Sequence, residues 1–128
     1  MGDILMRYKR DEAFRFEFGE PLSIVFTIEQ LNGKSVTSSD GEAKMLDISL
    51  NGMKILTSLN IPVYGNDVWV SISFSLNNST YKIRGTLVWV EKNFDEYVYG
   101  VHCENDPELQ DDLLNDLKVL GKKMANRK

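Results

Sequence analysis

The sequence predicts a mainly β fold: six or seven short antiparallel strands forming a barrel or a sandwich, with one amphipathic helix at the C-terminal end. Three observations predict it. From Phe14 to Cys103, apolar and polar residues alternate with the two-residue period of half-buried strands. Clusters of Asn, Asp, Gly and Ser break that alternation at short intervals, with no helical period between them. After Asp106 the apolar period lengthens to that of a helix.

Phe14, Phe16 and Phe18 alternate with Arg15 and Glu17. Pro21 interrupts, and Leu22, Ile24, Phe26 and Ile28 resume the same pattern. Residues 1–13 show no period and read as an extended arm, followed by a barrel over 14–104 and a helix over 106–125, all in one domain. Asn32-Gly33 and Asp40-Gly41 are turn dipeptides around a polar stretch. Ala43 to Ser49 and Met53 to Thr57 read as strands joined by the turn Ser49-Leu50-Asn51-Gly52. Val68, Val70, Ile72, Phe74 and Leu76 share one face, opposite Trp69, Ser71, Ser73 and Ser75. After a turn at Asn77-Asn78-Ser79, Tyr81, Ile83, Gly85, Leu87 and Trp89 share a face opposite Lys82, Arg84 and Thr86. Another turn, Asn93 to Glu96, precedes Tyr97, Tyr99, Val101 and Cys103.

Asp106-Pro107-Glu108 carries an N-cap, a first-turn proline and an acidic first turn. Leu109, Leu113, Leu117, Leu120 and Met124 then recur at helical spacing. Acidic residues (Glu108, Asp111, Asp112, Asp116) precede basic ones (Lys118, Lys122, Lys123), which complements the helix dipole. Such a stripe packs more often on its own domain than on a partner.

The chain has 128 residues, 42% hydrophobic and 27% charged, enough for one unstapled core. No apolar run is long enough for a spanning helix, so no membrane insertion is expected. Met1 to Met6 lack the basic flank and apolar length of a signal peptide. Gly2 lacks the Ser or Thr at position 6 that myristoylation favours. A single cysteine fits a reducing compartment, and the chain reads as cytoplasmic. The net charge of −4 argues against a general DNA or RNA binder, yet allows a small anion held by local arginines.

No catalytic or metal site emerges. His102 and Cys103 are adjacent on a strand, so they point to opposite faces, and they are too few for zinc. Two other stretches carry chemistry. Residues 7 to 15 hold Arg7, Lys9, Arg10 and Arg15 against Asp11 and Glu12. Arginine forks match phosphate and the O6/N7 edge of guanine. In Asp47-Ile48-Ser49-Leu50-Asn51-Gly52, Asp47 and Ser49 project to one face and Ile48 and Leu50 to the other. Asp47 offers acceptors to guanine N1–H and N2–H, Ser49 a donor, and Gly52 close backbone approach. The plain alternative is a tight turn that satisfies its own backbone.

These residues resemble the PilZ family, small β-barrel receptors for the bacterial second messenger cyclic di-GMP. The family carries an N-terminal Arg-x-x-x-Arg motif and a downstream Asp/Asn-x-Ser-x-x-Gly. Asp47 to Gly52 meets the second in full. Lys9 to Phe16 looks like the arm, and Arg84 to Val90 and Tyr97 to Val101 look like the last barrel strands. The resemblance implies a six-stranded antiparallel barrel with a C-terminal helix. It implies a non-catalytic receptor without cofactors that binds cyclic di-GMP, moves its arm and regulates a partner protein in motility, exopolysaccharide synthesis or adhesion. It gives no preference between monomer and homodimer. The ligand residues it implies are Arg10, Arg15, Asp47, Ser49 and Gly52, with Arg7, Lys9 and Asn51 as further candidates. One departure stands out: Arg10 and Arg15 are five apart, not four. Either Arg10 reaches the ligand through a bulge, helped by Lys9 or Arg7, or the chain is a degenerate interaction module that does not bind cyclic di-GMP.

Overall fold

A computed structural model of the chain describes residues 15–36 and 40–125. Its strands are β1 (Arg15–Leu31), β2 (Lys34–Ser35), β3 (Gly41–Ser49), β4 (Gly52–Thr57), β5 (Val68–Leu76), β6 (Ser79–Asn93) and β7 (Glu96–Cys103), followed by α1 (Pro107–Ala125). All pairings are antiparallel. β2 is a two-residue hairpin partner of β1. The other six close a ring in the order β1, β3, β4, β7, β6, β5, with β5 returning to β1. Ring closure removes the long open edges that a flat sheet of these strands would leave. The expected six-stranded fold with a C-terminal helix is the one observed.

Two of the turns follow from residues that tolerate positive φ. Asn32 and Gly33 (φ 54° and 83°) join β1 to β2, and Asn77 and Asn78 (50° and 72°) join β5 to β6. Asp40-Gly41, expected as a turn, instead leads into β3, where Gly41 pairs with Phe26 and Asp40 accepts a hydrogen bond from the Thr27 hydroxyl.

Inward residues fill the ring. Met45, Val70, Ile72 and Tyr99 have no measurable exposure, and Phe26, Ile48 and Ile55 almost none. The Tyr99 hydroxyl is satisfied inside this core: it accepts from the Ile61 amide at 2.7 Å and donates to the Leu59 carbonyl at 2.6 Å. The helix packs on its own barrel. Leu113 and Leu117 join the core cluster, with Leu109 and Leu120 half-buried beside it. The Asp116 carboxylate accepts from the Tyr81 hydroxyl, and its backbone carbonyl accepts from Asn77 Nδ2. Near its end, Gly121 lies under Phe16 of β1.

Besides one at Glu29 of β1 against β5, two bulges change which residues face inward. Against β4, β3 carries one extra residue, Leu46, between Met45 and Asp47. Against β7, β6 carries one extra residue, Val88, between Leu87 and Trp89. A one-residue insertion reverses the in–out alternation beyond it. Ala43 and Met45 therefore point inward, but so does Ile48, and Asp47 points out. The second bulge corrects the face assigned to Trp89: Val90 packs on the core, while Trp89 lies outside.

Candidate functional site

The bulges turn Asp47 and Trp89 into one cross-strand row on the outer face. Asp47 pairs with Lys54, Lys54 with Gly100, and Gly100 with Trp89. The indole of Trp89 lies directly on Gly100, where a Cβ would overlap its ring nitrogen. Only glycine leaves that seat open. In the adjoining row Arg15 pairs with Ser49, and Gly52 with His102.

The first three residues of β1 reach this face because the strand is interrupted. β1 steps away from β3 over Phe18 to Pro21, four residues against the single Leu46, and rejoins at Leu22. Proline has no N–H for the ladder, which favours the break there. Arg15 and Glu17 are thereby laid beside Ser49 and Asp47 as a separate short ladder.

Arg15 Nη1 donates to Asp47 Oδ1 at 2.6 Å. Lys54 Nζ lies 3.5 Å from Asp47 Oδ2. The Asp47 side chain is 6% exposed, whereas Arg15 and Lys54 are 41% and 42% exposed. The carboxylate is thus enclosed, and the cations keep donors in contact with solvent. Ser49 Oγ donates to the Gly52 carbonyl at 3.3 Å. A Cβ at Gly52 would stand 3.0 Å from the Val101 carbonyl oxygen, so the glycine favours close strand approach. Asp47 and Ser49 do share a face opposite Ile48, as their spacing predicts. That face is covered rather than open: each is only 5% exposed.

A cleft of about 270 Å³ lies alongside, lined by Arg15, Ser49, Asn51 and Gly52, then Lys54, Trp89, Gly100 and His102 among others. Its described lining carries Arg15 and Lys54 and no carboxylate, which suits an anion. The half-buried indole of Trp89 in the cleft wall offers a ring for a base. Cys103 is buried behind it, with its thiol pushed up to about 12 by burial. Arg15, Asp47, Ser49, Asn51 and Gly52 therefore meet in one place. Arg7, Lys9 and Arg10, with the predicted arm over 1–13, lie outside the described residues. Sequence reasoning missed Lys54, Trp89, Gly100 and His102. Two runs of consecutive apolar residues, Met45-Leu46 and Leu87-Val88-Trp89-Val90, break alternation and were the available signal of the bulges.

A β-ring with this turn on its outer face is the architecture of a PilZ domain. The family model for the PilZ domain matches residues 7–118, and the chain belongs to that family of cyclic di-GMP-related receptors. Its fold is similar to that of the PilZ domain of CeSA from a cellulose-synthesizing bacterium. The TM-score is 0.57 at 11% identity, covering 84% of this chain and 98% of that one. It is also similar to the Bacillus subtilis inhibitor of motility (MotI/DgrA), with TM-score 0.56 and 12% identity over 89% of this chain. That match spans 51% of the Bacillus protein, about half its length. No curated protein sequence matches the chain. Among the described residues, no helix is long and apolar enough to cross a membrane.

Proposed function

We propose that this chain is a non-catalytic cyclic di-GMP receptor that binds the nucleotide at the outer cleft and acts through a partner protein. The meeting of Arg15 with Asp47 and Ser49 beside a basic, indole-walled cleft carries the reading. In the ligand-free chain Arg15 and Asp47 satisfy each other. A guanine presents N1–H and N2–H to the carboxylate and O6 and N7 to an arginine fork, so it replaces that pair with two complementary contacts. Lys54 then faces the phosphates, and the sequence offers Arg7, Lys9 and Arg10 as further cations for them. Trp89 supplies a planar face for a base.

The ligand is the only small molecule this reading requires, with no cofactor or metal. The regulated process is of the kind named for the structural relatives, motility or cellulose synthesis, and the chain acts in the cytoplasm. Calorimetric titration of the full chain with cyclic di-GMP tests the reading. Saturable binding supports it. No heat at high ligand excess favours the degenerate interaction module that the five-residue spacing of Arg10 and Arg15 also allows.

A further inference from the structure

We propose that Gln110, in the first turn of α1, is a positioning residue that orients the Asn51 carboxamide into the cleft. The proposal rests on the cyclic di-GMP reading for its ligand, but its geometry stands on the free chain. Gln110 Nε2 donates to the Leu50 carbonyl at 2.9 Å and to Asn51 Oδ1 at 3.3 Å. These are contacts across 60 and 59 residues of sequence, from the helix to the middle of the Asp47–Gly52 motif. Gln110 is itself held in place. Asp106 Oδ1 caps the Leu109 amide, and the Asp106 carbonyl accepts from the Gln110 amide at 2.9 Å.

The consequence for Asn51 follows from its donor and acceptor inventory. Its backbone carbonyl is taken by the Cys103 amide at 2.8 Å, and its side-chain oxygen by Gln110. Among the described residues its Nδ2 has no partner. Asn51 lines the cleft, so the group it has left to offer a ligand is the NH₂ donor. An amide free to flip would present oxygen half the time, which repels a phosphate or guanine O6. Gln110 selects the donor orientation. Asn51 thereby becomes a specificity element for an acceptor-bearing ligand, tied to the helix through one side chain.

The test uses the full chain, with Gln110→Ala, Gln110→Glu, Asn51→Ala and the Gln110→Ala/Asn51→Ala double variant. Cyclic di-GMP affinity is expected to fall about two- to tenfold in Asn51→Ala, the worth of one neutral hydrogen bond, and about twofold in Gln110→Ala, which halves the donor-presenting population. The double variant loses no more than the larger single loss, because both changes remove one presented group. Gln110→Glu keeps the side-chain length but accepts instead of donating, so it turns the Asn51 oxygen into the cleft and binds more weakly than Gln110→Ala. Additive losses, or a Gln110→Glu variant that binds like wild type, overturn the proposal. The side-chain amide resonances of Asn51 in ligand-free ¹H–¹⁵N spectra give a second readout. They shift in both Gln110 variants if the contact orients Asn51, and unmoved resonances overturn it whether or not ligand binds. Shifted resonances in a chain that does not bind cyclic di-GMP uphold the positioning and remove the functional reading instead.

Discussion

Cys103 and Tyr81 show how single residues report the quality of the packing around them. Both are protonated and neutral where they sit. Burial pushes the Cys103 thiol up to about 12 from 9.0. Burial, reinforced by the Asp116 carboxylate, raises the Tyr81 phenol above its usual 10.0. As pH rises the unfolded chain releases these protons first, so each contribution to stability is present below the unfolded value and lost on approach to the folded one. Urea midpoints are therefore expected to hold up to about pH 9 and fall between about 9 and 12, the tyrosine adding its share above about 10. A midpoint that rises through that window contradicts the assignment. His102, the neighbour of Cys103, points the other way into the cleft, as strand alternation predicts.

At the scale of elements, α1 is part of the core rather than an appendage. Leu117 is 1% exposed among barrel side chains, so Leu117→Ala is expected to cost about 2–5 kcal/mol in urea unfolding. A loss below about 0.5 kcal/mol indicates a helix that does not dock on the barrel. Gly100→Ala drives a methyl group into the indole of Trp89. It is expected to cost about 1–3 kcal/mol and to shift tryptophan fluorescence as the ring leaves its seat. Unchanged fluorescence and stability contradict that packing. Strands and helix were readable in the sequence because each buries one face with its own period, from Val68 to Leu76 on β5 and from Leu109 to Leu120 on α1. The faces of Asp47 and Trp89 were harder to read. Parity beyond Leu46 and Val88 depends on which residue bulges, and that is decided by cross-strand packing with β4 and β7. The Asp47–Ser49 spacing fell wholly beyond its bulge, so its prediction of a shared face survived. Alternation counted through Val88 puts Trp89 on the inner face, and the bulge there turns it outward.

Over the whole molecule, a closed ring carries the candidate site, whose polar groups come from distant parts of the chain. Arg15 and Asp47 are 32 residues apart, Lys54 follows on β4, and Trp89 comes from β6. Pairs that meet only through ring topology were not visible in the sequence, which is why Lys54 and Gly100 escaped notice. The motif residues were visible because the family pattern lies in one hexapeptide. In the proposed reading, Arg15 and the Asp47 motif form one cyclic di-GMP site. The most direct test is calorimetry of cyclic di-GMP on the full chain beside its Arg15→Ala variant. Saturable binding is expected for the wild type, with an affinity loss of about ten- to over a hundredfold in the variant, the worth of one charge-assisted contact. Equal affinities, or no binding by the wild type, contradict it.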